Sequence, residues 1–170
     1  MPDKRTVKSE QPEGFHFFFE TEAVGFDPVT FRASASNGAL RGEASRLGVE
    51  AITSLELDGS VLRQNNGLNF WLHVHLIADV VQSCVVTLDT IRTTIDREFG
   101  VCCKPEEQCP SKGGGVFVDP LGEYDSEPVV DGIIDVGGVV MDNLALAVDM
   151  YPRKLGAVFQ HEVLSEEICD

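Results

Sequence analysis

The feature that most constrains the fold is the run at positions 70–80, in which every second residue is apolar and three of the five between them are polar. Successive side chains of a strand point to opposite faces, so this period predicts one long strand with a buried face and a wet face. The buried set is Phe70, Leu72, Val74, Leu76, Ala78 and Val80, and the wet set is Trp71, His73, His75, Ile77 and Asp79. Such a strand requires neighbours, which predicts an antiparallel sheet at the centre of the fold.

The neighbouring segments supply two further strands. Leu55, Leu57 and Val61 alternate with polar residues before the long strand. Asn66-Gly67 lies between the two and predicts a tight hairpin turn, because both residue types tolerate a positive φ. A third strand is predicted after the long one, with its apolar face formed by Val85, Ile91, Ile95 and Phe99. The three strands together form a meander.

Two segments have helical periodicity. Residues 39–47 place apolar side chains at helical spacing, with Ser36 or Asn37 as the N-cap and Gly48 as the stop. A second helix is predicted over residues 135–148, with Asp135 as its N-cap. Its apolar stripe would consist of Val136, Val140, Leu144 and Ala147.

The predicted fold class is therefore α+β. It combines an antiparallel meander, whose closure into a barrel-like form is left open, with two short packing helices and a long acidic loop. A single domain is expected over residues 15–160, with flexible termini at 1–14 and 161–170. Residues 104–122 are rich in proline and glycine and predict a mobile loop. Residues 25–38, which carry several turn-forming residues, are also predicted to be loop.

Charge limits the classes of partner. The chain has 28 acidic residues against 13 lysines and arginines, for a net charge of −15. Such a field repels nucleic acid backbones and anionic membranes and attracts basic proteins. The alternative is that the acidity only keeps the protein soluble. No apolar run approaches the roughly 20 residues of a membrane span, and the charged N-terminus is not typical of a signal peptide. A cytoplasmic location is expected.

No sequence motif indicates catalysis. His73 and His75 lie two residues apart on one strand face, a spacing that would let both meet a metal ion, but no third ligand is evident beside them. Cys102, Cys103 and Cys109 lack the Cys-x-x-Cys spacing of structural zinc sites. The five cysteines are odd in number and unevenly spaced, which favours reduced thiols. We expect no catalytic residue, no metal and no cofactor.

Two segments resemble a known family. Residues 80–99 (VVQSCVVTLDTIRTTIDREF) and 124–159 (YDSEPVVDGIIDVGGVVMDNLALAVDMYPRKLGAVF) are similar to the YceD family of large ribosomal RNA subunit accumulation proteins. The similarity is to a bacterial branch with Val-Gln-x-Cys-Val-Val-Thr-Leu, an acidic loop and a closing Tyr-Pro-Arg-Lys. It implies a cytoplasmic, non-enzymatic role in accumulating the RNA of the large subunit. It also implies a link to a small basic protein of that subunit.

Cys84 departs from the pattern that the resemblance suggests. Many family members carry Cys-x-Arg-Cys-Leu here, which would permit a metal or a redox pair. In this chain Val86 and Thr87 stand in place of the arginine and the second cysteine. Cys84 is therefore predicted to be a small buried residue that only fills space. Gly138 stands where this branch usually has glutamate, so a capping box beginning at Asp135 is lost.

The predicted function is that of an acidic adaptor in large-subunit biogenesis. Its expected partner is a basic large-subunit ribosomal protein, with ribosomal RNA involved only indirectly and no membrane contact. The oligomeric state is left open. The partner-binding residues are predicted to be Asp125, Glu127, Asp131, Tyr151, Arg153 and Lys154. An equally weighted alternative for Tyr151 is that it packs, with Pro152, against the end of the second helix.

Two other functions compete with this prediction. One is direct RNA binding, with Trp71, His73, His75 and Arg92 as a stacking surface on the sheet. The other is a small metal-dependent hydrolase built on His73, His75 and Asp79.

Overall fold

A computed structural model of the protein describes residues 14–64, 67–108 and 126–158. A five-stranded sheet has the order β2-β3-β4-β5-β6, and a separate two-stranded sheet pairs β1 with β7. The strands are β1 Phe18–Glu20, β2 Val29–Ser34, β3 Ala51–Arg63, β4 Phe70–Ser83, β5 Thr90–Pro105, β6 Ser126–Val129 and β7 Ile133–Asp135. The helices are α1 Asn37–Leu47 and α2 Val136–Ala147, with short 3₁₀ turns at Thr21–Ala23 and Glu106–Gln108.

The α+β class and the central meander are confirmed. β3, β4 and β5 are antiparallel neighbours, and Leu72 of β4 lies between Val61 and Val101 of the two flanking strands. The predicted buried face of β4 is buried at every position from Phe70 to Val80. Within the described residues the five-stranded sheet is open, with β2 and β6 at its edges.

Two predictions about individual strands were wrong, and one strand of the sheet was not predicted. Residues 25–38 are not all loop, because β2 lies within them and alternates buried Phe31 and Ala33 with exposed neighbours. The third strand does not include Val85, because residues 84–89 form a turn and β5 begins at Thr90. The meander also gains β6, which pairs with β5 in parallel.

Both predicted helices are present with the expected ends. Ser36 caps α1, its Oγ accepting a hydrogen bond from the Ala39 N–H at 3.4 Å, and Gly48 ends the helix at a φ of 68°. Asp135 caps α2, its Oδ1 accepting from the Gly138 N–H at 2.8 Å. Each helix therefore starts with a side chain that satisfies one of its free amides.

One core joins both sheets and both helices. The inner face of the large sheet packs with the aromatic residues of the first strand and with the apolar stripe of α2. Its most deeply buried members include Phe17, Leu57, Leu72, Leu76, Ile134, Val136, Val140 and Leu144. Because the inner face is filled in this way, functional surfaces must lie on the outer face or at the ends of the sheet.

The acidic loop lies mostly outside the described residues. Of the predicted mobile segment 104–122, Lys104 and Pro105 belong to β5 and residues 106–108 form a 3₁₀ turn. The remaining residues of that segment, the predicted flexible C-terminus and all but Gly14 of the predicted flexible N-terminus are outside the described ranges.

Candidate functional site

The two segments that carry the family resemblance meet at one end of the large sheet. The Val85 N–H donates to the Pro152 carbonyl at 2.9 Å, and the Lys154 N–H donates to Cys84 Sγ at 3.3 Å. Lys154 Nζ also lies 3.0 Å from Asp89 Oδ2. We call the turn 84–89 together with segment 149–155 the junction. Residues that are 70 positions apart in sequence are thus fixed to each other by backbone and side-chain contacts.

The turn half of the junction closes on itself. The Cys84 N–H donates to the Asp89 carbonyl at 2.8 Å, and the Leu88 N–H donates to the Cys84 carbonyl at 2.9 Å. Closing the turn places Leu88 at a φ of 60°, a left-handed conformation that bulky residues rarely adopt. Thr87 Oγ1 donates to Asp89 Oδ2 at 3.1 Å and holds the carboxylate that faces Lys154.

Cys84 is buried as predicted, but it does more than fill space. Its side chain is fully buried, and its Sγ accepts hydrogen bonds from the backbone N–H groups of Lys154 and Thr87. Donation from the Lys154 N–H, with Thr87 adding to it, lowers the pKa of the thiol to about 6. The sequence could not reveal this role, because the main donor lies 70 residues away.

The second half of the junction is held by polar contacts to the sheet. Gln82 Nε2 donates to the Asp149 carbonyl at 2.7 Å, and Asp149 Oδ1 accepts from the Tyr151 N–H at 2.9 Å. Pro152 is buried, whereas the Tyr151 side chain is 71% exposed. Of the two residues that were predicted either to pack or to contact a partner, Pro152 is packed and Tyr151 faces solvent.

Asp89 is the charged anchor of the junction. Hydrogen bonding to Lys154 Nζ, with Thr87 adding to it, lowers the pKa of the Asp89 carboxyl. The Lys154 charge is consequently matched by a carboxylate of the same chain. Lys154 is thus already paired within the chain, and less of its charge is available to a partner.

The predicted partner-binding residues do not form one surface. Glu127 lies in β6 opposite Cys103, and Asp131 lies in the turn just beyond it. Tyr151, Arg153 and Lys154 are at the junction, where β5 begins. The fourteen residues of β5 from Thr90 to Cys103 separate the two groups by about 40 Å of extended chain. Asp125 lies outside the described residues.

The sheet histidines face carboxylates. His75 lies between two of them, with Nε2 at 2.8 Å from Asp96 Oδ1 and Nδ1 at 3.6 Å from Asp58 Oδ1. The hydrogen bond to Asp96 is the main reason that the pKa of His75 is raised. His73 Nε2 lies 3.1 Å from Glu98 Oε1. The carboxylates beside His75 favour its charged imidazolium, the form that does not bind a metal.

Asp79 does not join the histidines. Its two carboxylate oxygens accept from Thr94 Oγ1 at 2.6 Å and from Ser54 Oγ at 2.8 Å. These hydroxyl donors lower the pKa of Asp79, the Thr94 bond being the larger cause. Across residues 14–64, 67–108 and 126–158, no three His, Cys, Asp or Glu side chains are grouped so that they could hold a metal ion.

The outer face of the sheet is poorly arranged for RNA. The Trp71 ring lies against the backbone of Gly100, where a Cβ would come within 2.5 Å of the ring carbon Cζ2. A base could therefore stack only on the other side of the ring. The register also places carboxylates along this face, at Glu56, Asp58, Asp96 and Glu98. A phosphate backbone laid here would meet like charge.

Comparison with family models, curated proteins and solved structures finds no match to this chain. None of the helices in the described part of the chain has the length and apolar character needed to cross a membrane.

Proposed function

We propose that this protein is a non-enzymatic, cytoplasmic factor in the biogenesis of the bacterial large ribosomal subunit. It acts as an acidic adaptor that binds a basic protein of that subunit and affects ribosomal RNA through that protein. The observation that carries the proposal is the net charge of −15 together with the row of carboxylates on the exposed sheet face. The resemblance to the YceD family supplies the ribosomal context.

The physical basis is electrostatic complementarity. A strongly negative protein attracts a cationic one at a distance, and carboxylates at the contact then form charge-assisted hydrogen bonds with lysine and arginine. Glu127 in β6 and Asp131 in the turn after it offer such carboxylates, and Asp125 is added to them from the sequence alone. Tyr151, Arg153 and Lys154 offer an aromatic and basic contact at the junction. Because the two groups lie at opposite ends of β5, binding to both would require a partner that reaches along the sheet, or two separate contacts.

The test is affinity capture from bacterial extract with the whole chain immobilised and with both bound protein and bound RNA identified. The proposal expects a basic large-subunit protein to be retained after ribonuclease treatment and to be released as salt is raised. Retention that disappears with ribonuclease would contradict it, because the protein would then be held through RNA.

Direct RNA binding is tested in parallel by filter binding with purified large-subunit RNA. The proposal expects no salt-sensitive affinity below micromolar, since the outer face of the sheet is lined by carboxylates. Tight, salt-sensitive binding that is lost when Arg92 is replaced by Ala would overturn the adaptor proposal in favour of an RNA-binding module.

A further inference from the structure

We propose that the junction is a docking platform for a segment of a basic protein that carries apolar side chains between its lysines and arginines. Leu88, Tyr151 and Leu155 are the apolar contacts, and Glu50, Asp89 and Asp149 form the carboxylate rim. The ribosomal identity of that basic protein rests on the proposed function above, whereas the chemistry of the platform does not.

The first observation is the apolar surface itself. Large apolar side chains at the junction remain exposed: Leu88 by 78%, Tyr151 by 71% and Leu155 completely. Val85 and Met150 are exposed beside them. Single exposed apolar residues are ordinary, but several on one fixed surface are typical of a protein contact. A tyrosine with an arginine next to it is also the composition of binding hot spots.

The second observation is that this surface is held rigidly. Pro152 is buried and its carbonyl accepts from Val85, the Lys154 backbone is fastened to Cys84, and Asp149 is fastened to Gln82. These contacts fix the backbone on both sides of Tyr151. A contact residue fixed before binding loses less conformational entropy when the partner arrives, which strengthens the complex.

The third observation is the conformation of Leu88. A leucine at a φ of 60° is strained, and its exposed side chain gains little from packing within the chain. Glycine or asparagine would suit the same backbone better. A strained and exposed apolar residue is a reason to look for a role outside the fold. Contact with a partner is a role that an exposed apolar side chain can fill and that glycine or asparagine would fill poorly.

The rim indicates the charge of the occupant. Glu50 accepts from Ser83 at the edge of the junction, Asp149 lies beside Tyr151, and Asp89 faces Lys154. Within the junction itself, Asp89 and Asp149 are balanced by Arg153 and Lys154, so the attraction for a basic segment comes from Glu50 at its edge and from the rest of the chain. The junction lies in the field of a chain with a net charge of −15. An acidic peptide would be repelled, and a basic one would be attracted.

Two probes test the platform on the whole chain. One is the set of proteins stripped from purified bacterial large subunits, and the other is a labelled amphipathic peptide of alternating lysine and leucine blocks. The variants are Leu88→Asn and Tyr151→Ser, alone and combined. The control is Phe26→Ser, because Phe26 is an apolar side chain of similar exposure, 65%. It lies at the opposite end of the sheet, since the carbonyl of its neighbour Gly25 accepts a hydrogen bond from the Arg63 N–H. The double variant is expected to bind at least tenfold more weakly, and the control is expected to bind as the parent does.

The outcomes separate the two proposals. A large-subunit protein that binds the parent and the double variant equally would overturn the platform and leave the adaptor function standing. Peptide binding that the double variant loses, with no large-subunit protein retained, would support the platform and overturn the ribosomal function. Self-association of the parent that Leu88→Asn abolishes would assign the surface to a second copy and overturn the platform proposal. Equal melting temperatures of the variants would exclude unfolding as the cause.

Discussion

At the scale of single residues, the most informative departures from expectation are at the turn between β4 and β5. The sequence indicated that Cys84 is small and buried, and it is. It did not indicate that the sulfur accepts a hydrogen bond from Lys154, because that contact crosses the junction. It also did not indicate that Leu88 takes a left-handed backbone, which follows from hydrogen bonds that close the turn 84–89. A side chain's environment can be predicted from its neighbours in sequence, but its long-range partners cannot.

Leu88 gives a prediction about stability. Replacement by asparagine, which tolerates a positive φ, should leave the free energy of unfolding unchanged or raise it by up to about 1 kcal/mol, since little burial is lost. Replacement by valine, whose β-branch is poorly suited to this backbone, should lower it by about 1 kcal/mol or more. Urea denaturation of the three proteins measures the order. A valine variant as stable as the asparagine variant would show that the turn relaxes and that Leu88 is not strained.

Cys84 gives a prediction about pH. The pKa of its thiol is lowered on folding to about 6, so the stability it adds is fully present above the unfolded value near 9. That contribution is lost as the pH falls through 6. The melting temperature of the parent minus that of Cys84→Ser should therefore rise between pH 6 and pH 9. A difference that is flat over this range would mean that the sulfur stays protonated.

The two Cys84 variants should also differ from each other. Serine keeps an acceptor for the Lys154 and Thr87 amides, whereas alanine leaves both without that partner in a part-buried place. Cys84→Ala should consequently melt at a lower temperature than Cys84→Ser.

At the scale of elements, a strand or helix could be predicted when its sequence pattern was long or had a clear start and end. β4 was predictable because its alternation runs over eleven residues, and α1 because its cap and its terminal glycine are both present. β2 was missed because only six residues alternate between clusters of turn-forming residues. The parallel pairing of β6 with β5 was missed because nothing in a four-residue strand specifies its direction.

The first turn of α2 gives a prediction about two adjacent glycines. A Cβ at Gly137 would lie 2.6 Å from the Phe15 carbonyl oxygen and 2.7 Å from the Phe17 nitrogen, both of them backbone atoms. A Cβ at Gly138 would meet only the carboxylate of the Asp135 cap, a side chain that can move. Gly137→Ala should lower the free energy of unfolding by about 1–3 kcal/mol despite the better helix propensity of alanine.

Gly138→Ala should change the stability much less, which makes it the matched control. Chemical denaturation of the two variants provides the comparison. Equal stabilities would mean that the chain around Phe15 to Phe17 is not held closely against the helix.

At the scale of the whole molecule, net charge affects how fast a partner associates, and topology determines which residues can contact it together. Charge could be counted in the sequence, and it disfavoured RNA binding without excluding it before any fold was known. The sequence could not show that Glu127 and Asp131 are far from Tyr151. The first two precede α2 and Tyr151 follows it, yet they lie near opposite ends of β5. The two groups should therefore affect binding in kinetically distinct ways.

The last prediction uses that separation. Replacing Asp125, Glu127 and Asp131 with Asn, Gln and Asn removes three negative charges, and asparagine suits the positive φ of Asp131. This triple variant should associate with a basic partner several times more slowly and dissociate at the parent rate, because separated surface charges act mainly on encounter. Leu88→Asn should show the reverse, with faster dissociation and unchanged association, because it removes a contact made only after docking. Surface plasmon resonance near 50 mM salt distinguishes the two. Faster dissociation of the triple variant would place the contact beside β6, whereas slower association of the Leu88 variant would mean that the turn has been disturbed.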